Sequence, residues 1–95
     1  MTPEGKVKDK VKITLAMMGA YYCMPATGGY GNSGMPDILC CYKGRFIAIE
    51  CKSGTKKPTR LQQTHLDEIE AQGGLSFVVN EENVGMLRQM IEANI

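Results

Sequence analysis

Between Val7 and Met18 apolar residues recur at Val7, Val11, Leu15 and Met18, three or four apart, which is the repeat of one helical face. Thr2, Pro3 and Glu4 supply an N-cap, a first helical residue and a first-turn acid, and Gly19 supplies the stop. At 100° per residue Glu4 falls on the same inward arc, whereas Lys6, Asp9 and Lys10 point away. A carboxylate is thus aimed along the buried face. Beyond Gly19 the period shortens to two. Ala20 to Met24 is a short apolar run, and Ile38 to Tyr42 and Arg45 to Lys52 are β-rich runs parted by Lys43-Gly44, a hairpin signature. In the last of these Phe46, Ala48, Glu50 and Lys52 share one face, and Ile47, Ile49 and Cys51 share the other.

A glycine-rich loop, Ala26 to Met35, leads into Pro36-Asp37. Thr59 and Gln62 make a capping-box pattern that opens a helix with Leu66 and Ile69 on its apolar face, and Gly73-Gly74 ends it. Leu75 to Val79 reads as a buried strand and Val84 to Ala93 as a closing helix striped by Val84, Leu87 and Ile91. The order αβββαβα describes a single α/β domain over residues 1–95. Its middle helix predicts a right-handed crossover that sets the fourth strand parallel to the third, in a mixed sheet flanked by helices.

Composition changes this picture little. A chain of 95 residues is one domain, able to bury only about 60–65% of its unfolded surface. With 43% apolar and 22% charged residues it is neither disordered nor fibrous. Charge is more informative. The net +1 conceals ten Lys/Arg against four Asp/Glu in residues 1–60, and one against six thereafter. If the halves present different faces, one attracts a polyanion and the other repels it; otherwise both are ordinary solvated faces.

Cys23, Cys40, Cys41 and Cys51 lack zinc spacing, and His65 is the single histidine. All four cysteines lie in or beside apolar runs, so buried, reduced thiols in an intracellular protein are expected. Lysines followed by the uncharged run Ile13 to Ala26 could mimic a secretory leader, but the apolar stripe begins at Val7 and runs through the lysines. The run then breaks into Tyr, Gly and Pro too early to cross a bilayer, so no membrane role is expected.

The candidate chemistry centres on carboxylates. Phosphodiester hydrolysis calls for a hard cation to offset developing charge and orient water, and such cations take carboxylate and carbonyl oxygens. Glu50 and Lys52, two apart on a strand, project side by side; Asp37 at the mouth of the preceding strand can join them, and Glu4 can approach from the packed helix. A lone E-x-K triplet is weak, since roughly a third of chains this long contain one by chance. A second, Glu4-Gly5-Lys6, lies in a helical turn where residues two apart face different ways. Taken singly, each residue also has a structural reading. Pro36-Asp37 can start a strand, Glu50 and Lys52 can be an exposed ion pair, Glu4 can complement a helix dipole, and Gln62 can merely complete its capping box.

In combination they are more specific. G-M-P-D at Gly34 to Asp37, F-I-A-I-E-C-K at Phe46 to Lys52, T-R-L-Q at Thr59 to Gln62 and the Gly73-Gly74 ending occur in that order. Together they resemble the PD-(D/E)XK nuclease superfamily and, within it, the VRR-NUC family, whose stand-alone members are short and often viral. The resemblance implies a restriction-endonuclease-like αβββαβ core, here with an added C-terminal helix. It implies that Asp37, Glu50 and the main-chain carbonyl of Cys51 bind Mg²⁺ or Mn²⁺, with Glu4 holding a second ion or a water. It also implies that Lys52 positions the attacking water, and that Gln62, or its neighbour Gln63, supports the site.

The resemblance extends to activity: it implies metal-dependent DNA endonucleolysis, selective for structures such as junctions or flaps rather than for sequence, by a homodimer, in host cytoplasm if the source is viral. Small residues let backbone N–H groups of Ser33 and Gly34 approach a phosphate, although a plain connecting loop reads equally well. Lys56, Lys57 and Arg60 beside a helix N-terminus form a candidate clamp on the DNA backbone. One rival is a non-catalytic nucleic-acid-binding module on the same fold, against which the retained carboxylates argue, because they oppose polyanion binding unless a metal neutralises them. Another is a thiol-based protein, which would require exposed, reactive cysteines.

Overall fold

The computed structural model describes residues 1–26 and 34–95. Helix α1 spans Pro3–Met18, capped by the Thr2 hydroxyl, which accepts from the Gly5 N–H at 3.0 Å, and closed at Gly19. Strands β1 (Tyr21–Cys23), β2 (Ile38–Tyr42) and β3 (Arg45–Cys51) form an antiparallel meander. Helix α2 (Arg60–Ala71) then carries the chain to β4 (Leu75–Val79), which pairs parallel to β3. The sheet order β1-β2-β3-β4 is the expected mixed sheet.

The closing segment differs in detail from a continuous helix. It starts as a 3₁₀ turn, Val84–Met86, and continues as α3, Leu87–Glu92. The predicted stripe still turns inward, with Val84, Leu87 and Ile91 all buried.

The pleat of β3 organises the core. Ile47, Ile49 and Cys51 point to the face covered by α1 and α3, where they join Val7, Val11, Leu15, Ile38, Leu87 and Ile91 in one apolar cluster. Ala48 and Glu50 point the other way and are also buried, as is Leu66 of α2 on that side. The centre of β3 is therefore dry on both faces. The start of the strand is not: Phe46, on the same face as Glu50, is 47% exposed.

Two expectations need correction. Strand β4 is half-buried along most of its length, with only Val79 fully enclosed, because it lies at the sheet edge. The thiols also divide. Cys40 and Cys51 are buried, whereas Cys23 and Cys41 are exposed, because β1 and the alternate positions of β2 face outward there; all four are free. Among the described residues no helix is long and apolar enough to cross a membrane.

Register across the β2–β3 hairpin is set by its two-residue turn. Lys43 and Gly44 both lie in the left-handed region, at φ 50° and 79°, the conformation whose twist matches paired strands. Nothing approaches within 4 Å of where a Cβ on Gly44 would sit. A substitution there therefore costs backbone conformation alone. Gly44→Val should lower unfolding stability by about 1–2 kcal/mol, and Gly44→Asn by less, because asparagine tolerates this region. Denaturant titrations of the three proteins check the expectation, and an undiminished midpoint for the valine variant would contradict the turn geometry.

Candidate active site

The hairpin register brings the two carboxylates together. Ile38 stands opposite Ile49, so one residue further along each strand Asp37 stands opposite Glu50. Asp37 is locked to the end of β3, where its Oδ2 accepts the Cys51 N–H at 2.8 Å. Its Oδ1 faces the Lys8 ammonium of α1 at 3.5 Å. Glu50 is only 2% exposed. Its Oε2 lies 3.5 Å from Lys52 Nζ, while Oε1 is buried without a hydrogen-bond partner.

This arrangement is costly when nothing else is bound. Burial pushes the Glu50 carboxyl up to about 7, the neighbouring Asp37 charge adds to the rise, and Lys52 only partly offsets it. The same surroundings raise the Cys51 thiol to about 12, again by burial first and then by Asp37. Cys51 therefore carries no thiolate at neutral pH, and its main chain is what it offers the site. An orphaned carboxylate oxygen beside a second carboxylate is a donor set suited to a hard divalent cation, which takes oxygen ligands and would remove the repulsion. Asp37 and Glu50 thus fit such an ion.

The loop that delivers Asp37 is tightly seated. Gly34 has φ 82°, and a Cβ there would lie 2.7 Å from Leu61 Cγ and 3.1 Å from the Leu61 carbonyl carbon. The turn before Pro36-Asp37 therefore rests on the first turn of α2, and only glycine fits. Gln62 follows Leu61, but its Oε1 accepts the Thr59 N–H at 2.8 Å, completing the capping box. Gln63 is exposed and donates to Asp67 at 2.9 Å.

Other expected residues are less closely gathered. Glu4 is half-buried and its charge reaches Cys51. Among the described residues, however, no three His, Cys, Asp or Glu side chains are grouped so as to hold an ion. Asp37 and Glu50 pair, and Glu4 does not join them. Lys56 and Lys57 are exposed on the segment that leads from β3 into α2, and Arg60 is exposed at the first residue of that helix. Ser33 lies outside the described residues. Lys8 was not anticipated, although it sits one helical turn beyond Glu4 and shares its face.

Known proteins bear on this site. Residues 17–72, more than half of the chain, match the sequence model of the archaeal Holliday junction resolvase (Hjc) family. That stretch includes Asp37, Glu50, Lys52 and Gln62 and excludes Glu4 and Lys8. A solved VRR_NUC domain superposes with a TM-score of 0.77 at 24% identity, covering 94% of this chain and 97% of that one. The structure of Archaeoglobus fulgidus Hjc, a Holliday junction resolvase from an archaeal hyperthermophile, superposes with a TM-score of 0.61 at 18% identity, covering 80% and 66%. No curated protein matches the sequence. The PD-(D/E)XK fold implied by the sequence motifs is thereby met, and the VRR-NUC resemblance holds at the level of fold.

The raised Glu50 carboxyl has a consequence for stability. Its folded value, about 7, lies above the 4.5 of an ordinary glutamate, so the neutral form is the better tolerated one in the fold. In the metal-free protein the penalty is absent below about pH 4.5, grows as pH rises, and is complete above about 7, on the order of 3 kcal/mol. Glu50→Gln removes the charge. Melted in EDTA, that variant should be more stable than the parent above pH 7 and lose its advantage at acid pH. A difference independent of pH would contradict the assignment.

Proposed function

This chain belongs to the archaeal Holliday junction resolvase family, and from that premise we propose that it is a divalent-metal-dependent DNA endonuclease selecting branched structure over base sequence. The observation that supports this reading best is the buried Glu50 set against half-buried Asp37, with Lys52 beside it and one Glu50 oxygen unsatisfied. A stable fold has no need to bury a carboxylate against a second one. A site built to gather a cation does.

In this reading Asp37, Glu50 and the Cys51 carbonyl hold Mg²⁺ or Mn²⁺, and Glu4 serves a second ion or a water. Bound there, the ion would offset charge accumulating on the phosphate and promote ionisation of water. The residues of the chain supply the remainder. Lys52, held beside Glu50 at 3.5 Å, orients the attacking water and donates to the phosphoryl oxygens as they gain charge. Water oxygen forms the new bond to phosphorus and gives up a proton to solvent, while the bond to the leaving strand breaks and the departing oxygen takes up a proton from solvent. The main chain of Ser33 and Gly34, with Lys56, Lys57 and Arg60, grips the DNA backbone without reading bases. Gln62, whose Oε1 completes the capping box of α2, or Gln63 beside it, supports the site from that helix.

A four-way junction has two strands to cut, so a working unit of two identical chains follows from its symmetry. The opposed charges of residues 1–60 and 61–95 agree with one face for DNA and another turned away from it. The compartment implied by a DNA substrate is intracellular.

Labelled four-way, flap and linear DNA incubated with Mg²⁺, Mn²⁺ or EDTA tests the activity. Cleavage of branched DNA in either metal and none in EDTA is expected. Asp37→Asn should abolish cleavage without lowering the melting temperature, whereas near-parental activity in millimolar metal would remove Asp37 from the ligand set. Lys52→Met should still bind a junction in Ca²⁺ yet cleave about a hundred- to a thousandfold more slowly.

The oligomer has its own test. Sedimentation should give twice the chain mass, and complexes mixed from parental and Asp37→Asn chains should nick one strand only. A monomer at micromolar concentration, with and without junction DNA, would overturn the dimer and leave the nuclease standing.

A further inference from the structure

Lys8 enters the site from α1 and has no part in the chemistry set out above. Its ammonium lies 3.5 Å from Asp37 Oδ1, and both side chains are largely withdrawn from water, at 28% and 21% exposure. The other Asp37 oxygen is committed to the Cys51 N–H at 2.8 Å. Glu50 mirrors this division, with Oε2 against Lys52 at 3.5 Å and Oε1 buried without a partner. A cation drawing on uncommitted oxygens of both carboxylates would find Glu50 Oε1 open. It would find Asp37 Oδ1 only where Lys8 already sits.

An ammonium and a divalent ion sharing one oxygen stand a few ångströms apart, and their repulsion is strong where water is scarce. One of them must give way. Lys8 is the mobile one: it sits on a helix with a flexible stem that can carry its charge into solvent, whereas Lys52 lies deeper, at 12% exposure. We propose that Lys8 is the resident counter-cation of Asp37, holding Oδ1 in the ion-free protein and yielding it when a divalent ion arrives, so that its displacement lowers and thereby sets the metal affinity. As a positioning residue it keeps the two facing carboxylates compensated, with Lys52, until that exchange. The proposal rests on the reading of Asp37 and Glu50 as metal ligands.

Calorimetric titration of the whole protein with Ca²⁺ tests it without reference to turnover. The parent, Lys8→Met, Lys8→Gln, Lys8→Arg and Asp37→Asn would be compared. Both neutral variants should bind Ca²⁺ roughly three- to tenfold more tightly than the parent, the range for removing one partly screened charge beside another. Lys8→Arg should return the affinity close to the parental value. Acylation of the parental Lys8 amine, read by mass spectrometry, should rise as Ca²⁺ saturates the site.

Unchanged or weaker Ca²⁺ binding by folded Lys8→Met and Lys8→Gln, with parental binding intact, would overturn the proposal alone, because a lysine that merely ties α1 to the sheet predicts that result. Protection of the Lys8 amine by Ca²⁺ would overturn it equally. Absence of any Ca²⁺ binding that Asp37→Asn removes would overturn the metal-site reading, and the proposal with it.

Discussion

Glu50 is a carboxylate at the dry centre of a sheet, enclosed on its own face and backed by the apolar cluster on the other, with a second carboxylate opposite it. Burying even one such charge is expensive unless it is paired and hydrogen-bonded. Here the pairing is incomplete, because Lys52 serves one oxygen and the other has no partner. The carboxyl answers by shifting upward to about 7. The rest of the molecule can be understood as the framework that tolerates this repulsion and holds the two carboxylates at a fixed register.

That framework is economical. The left-handed Lys43-Gly44 turn fixes β2 against β3, and the Cys51 N–H ties Asp37 to the strand that carries Glu50. Gly34 allows the preceding turn to press on Leu61, so the start of α2 braces the same loop. From the opposite face α1 contributes Val7, Val11 and Leu15 to the core and Lys8 to the site. Four elements therefore meet at two carboxylates. The stability lost there is recovered in the apolar cluster beneath, where Ile38, Ile47 and Ile49 are fully buried.

Much of this was legible in the sequence because it is carried by local periodicity. The α1 stripe, both helix caps, the hairpin turn and the alternation along β3 each depend on residues within a few positions of one another, and each formed as expected. What depends on how elements assemble was less visible. Strand order put β4 at an edge and left it half-buried, although its residues read as a core strand. Cys23 and Cys41 face outward because of where β1 and β2 lie, not because of their neighbours in sequence. The Lys8–Asp37 contact joins a helix to a strand entry 29 positions away, and only the helical spacing from Glu4 hinted at it. Gln62 had two readings, and its oxygen is engaged in the cap.

Asp37 and Glu50 are either a cation site or a strained relic of packing. Proton release on metal binding tests this most directly, because an ion that draws on a neutral Glu50 must expel its proton. In weakly buffered solution at about pH 6, one unit below the Glu50 value, addition of Mn²⁺ should release close to one proton per ion bound. At about pH 8 it should release almost none, and Asp37→Asn should suppress both uptake of the ion and the release. Binding of Mn²⁺ with equal proton release at the two pH values, or binding that survives Asp37→Asn unchanged, would contradict the account.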